Sequence, residues 1–113
     1  MGAAGVYPLP EGYFKKIAEI TRKYGGLVVS DEVQTGFGRV GKPVWGFKAQ
    51  GVKPDVVVVA KAMANGYPMA GVVTSRKIMQ SLNTNYFNTY GGGPIQCRLG
   101  MEVMKILKEE KLP

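Results

Sequence analysis

Apolar positions in this chain follow two periods, and the switch between them marks out the predicted elements. From Pro8 to Tyr24, Phe14, Ile17, Thr21 and Tyr24 recur at helical spacing and Gly25–Gly26 supply a stop, so a helix is predicted there. LVVSD, Leu27 to Asp31, is short, apolar and β-branched and reads as a strand. Asp55 to Ala60 is a second strand, whose unbroken valines predict burial on both faces. Asn65–Gly66 and Pro68 mark a turn before a third strand, Gly71 to Thr74, and Arg76 to Leu82 reads as a short helix. Pro94 opens a final helix with Ile95, Leu99, Val103, Ile106 and Leu107 as its apolar stripe.

The connections set the topology. Glu32 to Lys53 is rich in glycine and carries Pro43 and the Trp45–Phe47 pair, which predicts a long ordered loop, a feature usually tied to function. It is long enough to cross over between parallel strands, whereas the short link over residues 61–70 favours an antiparallel return. Asn83 to Gly93 is a second loop, rich in Gly and Asn. The predicted fold class is α/β, a mostly parallel sheet with one antiparallel strand and helices on both faces. Such a sheet keeps open edges, so residues 1–113 are expected to form an interior section of a larger domain.

Composition narrows the function classes. A chain of 113 residues that is 45% hydrophobic supports one modest domain. Its net charge of +7 is scattered rather than gathered in blocks, which points away from nucleic acid and suits the steering of anionic ligands. Cys97 is the lone cysteine, so no intrachain disulfide can form, and it reads as a packed or idle thiol. With no histidine present, His-based triads and most zinc sites are excluded. No apolar run reaches the ~18–20 residues of a membrane span, and MGAAGVYPLPEGY lacks an apolar signal core. Neither a membrane nor a nucleic acid is expected as a partner.

Candidate chemistry sits at the strand ends. Asp31 ends the first strand and Lys61 follows the valines of the second, which is an odd place for a lysine because an unpaired buried ammonium is costly. If the two strands are parallel, both side chains reach the carboxyl edge, where open α/β sheets bind ligands. Val33 would share the side of Asp31 if the chain stays extended. The plainer reading of this spacing is an ordinary Asp–Lys ion pair or two solvated strand ends. Gly36-Phe-Gly38-Arg-Val-Gly41 matches G-x-G-x-x-G, but Pro43 follows where a dinucleotide fold needs a helix. VVVVAK imitates the lysine strand of a kinase lobe, yet neither H-R-D nor D-F-G occurs. Thr89-Tyr-Gly-Gly-Gly-Pro94 offers a hydroxyl, free N–H groups and a helix start, an arrangement that suits a phosphate.

Taken together, VVSDEVQTGFGR (Val28 to Arg39), PDVVVVAKAMANGYPMAGVV (Pro54 to Val73) and YFNTYGGGP (Tyr86 to Pro94) resemble the class III pyridoxal-phosphate-dependent aminotransferases, in the family's order and over essentially the whole chain. The resemblance implies the large cofactor-binding domain of a fold-type-I enzyme, of which residues 1–113 would be the central part. The main phosphate loop would lie upstream, and the small domain downstream. It implies pyridoxal 5'-phosphate as cofactor, with Lys61 forming the Schiff base and then shuttling the substrate proton. Imine formation needs a neutral amine, which an apolar strand end with few waters favours. By the same matching Asp31 pairs with the pyridinium nitrogen, Val33 packs on one ring face and Gln34 reaches the phenolic oxygen. Thr89 matches a threonine that binds the cofactor phosphate across a homodimer interface.

The implied reaction moves an amino group from an amino acid such as alanine to an oxo acid such as glyoxylate. The family's ethanolamine-phosphate phospho-lyases are the nearest rival, with a similar GRVGK and YFNT, and a non-catalytic chain docking on full-length subunits is another. A mitochondrial location is implied by the resemblance alone. Ala62 and Ala64 stand where many members carry glycine, and Arg98 occupies a helix position that is usually small. Without its missing portions the isolated chain is expected to be inactive.

Overall fold

In the computed structural model, which describes residue 5 and residues 7–113, a three-stranded sheet is built in the order β1 (Val29–Asp31), β2 (Val56–Val59), β3 (Gly71–Thr74). Of the N-terminal stretch read for a signal core, Met1–Ala4 and Val6 lie outside the described residues. β1 and β2 are parallel, with Val29 opposite Val56 and Asp31 opposite Val58. β2 and β3 are antiparallel, with Val56 opposite Thr74 and Val59 opposite Gly71. Both pairings follow the expectation from connection length.

Helix α1, Tyr13–Lys23, starts later than the periodicity suggests, because Gly12 ahead of it sits at a left-handed φ of 72°. Ala18 on this helix packs with Val28 and Val52, and Phe14 lies against the cluster. Ile17 and Tyr24, which recur at the helical spacing, are exposed. One side chain then ties α1 to the sheet. The carboxylate of Asp55 accepts from the Val28 N–H at 2.9 Å and pairs with Arg22 at 3.3 Å. The Val28 hydrogen bond, helped by Arg22, holds the Asp55 carboxyl below its usual range despite partial desolvation. The Asp55 carbonyl accepts from Thr74 Oγ1 at 2.8 Å, so this residue links α1, β1, β2 and β3.

Two elements were not legible as such. The Glu32–Lys53 loop contains a short helix, α2 (Gly46–Ala49), and a 3-10 turn, Lys61–Ala64, follows β2 directly. α3 (Arg76–Gln80) is opened by Ser75, whose Oγ accepts from the Ile78 N–H at 3.3 Å. α4 runs Pro94–Glu109 with the proline in its first turn, as predicted. It packs on the 3-10 turn at Gly100, where a Cβ would come within 3.1 Å of Met69 Sδ. That close approach explains a glycine in mid-helix, which otherwise costs about 0.5–1 kcal/mol relative to alanine.

Burial of the valine run on both faces is not observed. Val59 is buried, Val56 to Val58 are half-buried, and on β3 Val72 and Val73 are 60% and 62% exposed. Since successive strand residues point to opposite faces, neither face of β3 is covered. In α4, Ile95, Leu99 and Ile106 are likewise exposed. Arg98 is exposed and pairs with Glu102 one turn on, at 3.6 Å. Among the described residues no helix is long and apolar enough to cross a membrane.

Candidate active site at the Lys61 strand end

Parallel pairing of β1 with β2 puts their carboxyl ends on one edge of the sheet, so Asp31 and Lys61 share that edge. The Glu32 N–H extends the ladder by donating to the Val58 carbonyl at 2.9 Å. There the strand stops. The Val33 N–H turns back to Asp31 Oδ1 at 3.0 Å, and residues 33–40 are a succession of turns. Val33 therefore does not follow Asp31 along an extended chain, which corrects the alternation argument. It is brought to the same edge by an Asx-type turn instead.

Lys61 departs from expectation in another way. Its backbone has φ 44°, in the left-handed region that non-glycine residues rarely enter. Ala60 before it is extended, at φ −164°, so the chain reverses sharply at the lysine. The Met63 N–H donates to the Ala60 carbonyl at 3.0 Å and closes the turn, which α4 supports through Met69 and Gly100. Conformational strain of this kind gathers where surrounding structure fixes a functional side chain. Lys61 is exposed, not sheltered from water as the valine run implied.

Lys61 lines a cavity of about 440 Å³ together with Arg39, Ala62, Gly66, Tyr67, Pro68 and Met69. Arg39, Tyr67 and Met69 were not picked out from the sequence, since nothing local distinguishes them. Neither Asp31, Val33 nor Gln34 is part of this lining. Two cations without a carboxylate make the cavity suited to an anionic group. A larger concavity of about 740 Å³ lies against Trp45, Lys48 and Leu107, and neither Asp31 nor Lys61 lines it.

Thr89 sits in an exposed turn ahead of α4, where the Asn88 carbonyl accepts from the Gly91 N–H and Asn88 Oδ1 from the Tyr90 N–H, both at 3.0 Å. Among the described residues no hydrogen bond or ion pair joins Thr89 to Asp31 or Lys61. The structure thus brings Asp31 and Lys61 to one sheet edge with Val33 turned back onto Asp31, and leaves Gln34 exposed in the turn that follows. Among the described residues it gives Thr89 no tie to them.

Glu32 was missed. It is 2% exposed and, among the described residues, the most deeply buried large side chain, although it ends in a carboxyl group. Its Oε1 accepts from Ser30 Oγ at 3.1 Å and the Phe47 N–H at 2.8 Å. Its Oε2 accepts from Thr35 Oγ1 at 3.0 Å and the Gly46 N–H at 2.9 Å. Gly36 packs over it, and a Cβ there would meet the Glu32 carbonyl at 2.8 Å. So the first glycine of the G-x-G-x-x-G pattern serves close packing, not a phosphate.

A family model described as Aminotransferase class-III matches residues 1–113. The chain belongs to the class III aminotransferases. It is 46% identical to "Alanine--glyoxylate aminotransferase 2, mitochondrial" of Homo sapiens, over 98% of this class III chain and 22% of that protein. It is 45% identical to "Ethanolamine-phosphate phospho-lyase homolog 1" of Caenorhabditis elegans, over 91% of this chain and 23% of that one. Among solved structures, Plasmodium falciparum ornithine delta-aminotransferase superposes with a TM-score of 0.90 at 38% identity, covering 98% of this chain and 29% of that chain. The class III chain thus spans about a fifth of the length of the curated relatives it matches, with 22% and 23% of them covered. Its mixed sheet with flanking helices is the α/β fold of pyridoxal-phosphate aminotransferases. The residues present fit that cofactor: an amine and a carboxylate on one sheet edge, a half-buried valine beside them, and an anion-suited cavity.

Proposed function

We propose that residues 1–113 carry the reactive lysine of a transaminase that moves an amino group from an amino acid such as alanine to an oxo acid such as glyoxylate. The observation that carries this is the strained, left-handed Lys61 at the same sheet edge as Asp31, the ends of two parallel strands. Bound pyridoxal 5'-phosphate would supply an aldehyde and an electron-withdrawing ring. Lys61 offers the amine that anchors the cofactor and, once released, a base that takes the substrate Cα proton and returns it elsewhere. Asp31 would hold the ring nitrogen's proton, Val33 would pack against the ring and Gln34 would donate to the ring oxygen. Thr89 would serve the phosphate of a partner subunit's site in a homodimer.

The similarity to a phospho-lyase relative favours a second reading, elimination of phosphate from an amino-alcohol phosphate by the same lysine. A mitochondrial location follows from the first relative's description only. Product analysis separates the two chemistries. With residues 1–113 in the context of a full-length class III subunit, supplied with alanine and glyoxylate, the proposed function yields pyruvate and glycine. Release of inorganic phosphate from phosphoethanolamine without transamination would replace it with the second. The chain by itself is expected to show no turnover above free cofactor, because positioning contributes up to about 7–11 kcal/mol to such reactions.

A further inference from the structure

We propose that Glu32 is a positioning residue for this active site, fixing the segment that carries Asp31, Val33 and Gln34 against the edge where Lys61 stands. This rests on the function proposed above. Every polar group of Glu32 is engaged. Its N–H donates to Val58 on β2, its carbonyl accepts from Gly36 at 2.9 Å, and its carboxylate takes four donors. Among the described residues it has no Lys or Arg partner, so hydrogen bonds alone compensate its burial.

The geometry determines what those bonds hold. Ser30 and Thr35 lie just before and after the site segment, while Gly46 and Phe47 begin α2. One carboxylate therefore pins both ends of residues 33–45. Phe37, at φ 57°, packs edge-on to Trp45 at 5.1 Å within the pinned loop, and its strained backbone needs an outside restraint. Asp31 and Val33 are the immediate neighbours of Glu32. Any rotation of the Glu32 backbone displaces both, and with them the hydrogen bond between Val33 N–H and Asp31. A misplacement on the order of 1 Å at such a site can lower the rate by about 10²-fold.

The test uses the pyridoxal-phosphate holoenzyme with residues 1–113 in a full-length class III subunit. Glu32→Gln keeps the shape but turns an NH₂ toward donors. Assayed well below its melting temperature and with saturating cofactor, it should lose kcat on the order of 10²-fold with little change in KM. The pH midpoint of the bound cofactor's visible band should also move, because Asp31 is displaced. Thr35→Val removes one donor and leaves the other bonds, so it should stay folded and move the same midpoint by less. If Glu32→Gln lowers only the melting temperature and leaves kcat and the midpoint unchanged, Glu32 is a plain stabiliser and the proposal falls. Should Glu32→Gln fail to fold, an unchanged midpoint in Thr35→Val overturns it. Loss of the proposed function itself is seen separately, as a visible band that survives Lys61→Ala.

Discussion

Two glycine-rich loops of this chain, residues 33–45 and residues 81–93, look alike in composition and are held in opposite ways. The first is pinned by a buried carboxylate and by ring contacts of Trp45 with Phe37 and Phe47. Among the described residues the second is tied only at its two ends, where the Ser81 and Leu82 N–H groups return to Ile78 and Met79 of α3 and the Gly93 carbonyl accepts from the Cys97 N–H. Tyr86, Phe87 and Tyr90 on it are 77–84% exposed. Glycine content thus says little about order. A single non-local polar anchor decides it. The anchored loop belongs to the half of the molecule that carries Asp31 and Lys61, and the other carries Thr89. If the halves serve different subunits' sites, substitutions in them should differ in both size and kind.

The largest effect is expected in the anchored half, in the full-length context. Lys61→Ala should abolish turnover and the visible absorbance of bound cofactor, and Lys61→Arg should do the same, because a guanidinium stays protonated. A full-sized band in either variant would erase the contrast between the halves. Asp31→Asn should keep the band but hold cofactor more loosely, since an ionised hydrogen-bond partner contributes about 1.5–3 kcal/mol. Its turnover should fall by orders of magnitude, measured by pyruvate release at saturating cofactor.

A local pH effect tests the fold that supports this half. The Asp55 carboxyl is held below its ordinary 3.8 by the Val28 N–H and then by Arg22. A depressed native pKa means that this stabilisation is full above the unfolded value and is lost as pH falls through the native one. Hydrogen exchange at the Val28 amide should therefore stay slow at neutral pH and speed up, relative to its intrinsic rate, below about pH 4. Asp55→Asn should flatten that dependence. The smallest effect belongs to the other loop. Thr89→Ala should remove one phosphate hydrogen bond, about 1 kcal/mol, seen as cofactor loss that excess pyridoxal phosphate restores. A fall in kcat that excess cofactor leaves uncorrected would place Thr89 nearer the chemistry than a phosphate contact.

What could be read from the sequence was local. The valine run, Asn65–Gly66 and Pro94 each announce their element through residues beside it, and connection length set strand direction. What escaped was non-local. α2 begins where the Glu32 carboxylate receives the Gly46 and Phe47 N–H groups, and no periodicity across Pro43 signals that contact. The left-handed turn at Lys61 is equally silent, because KAMA contains good helix formers and no glycine. Asp31 and Lys61 were legible as strand ends. Their shared cleft with Val33 was argued from an extended chain that instead turns.

Under the proposed function Lys61, among the many lysines of a +7 chain, is the one that binds the cofactor covalently. Borohydride reduction of the full-length holoenzyme, followed by peptide mass spectrometry, tests it directly. A stable phosphopyridoxyl adduct is expected on Lys61 alone, absent from the Lys61→Ala variant. An adduct on another lysine, with Lys61 unmodified, would contradict it.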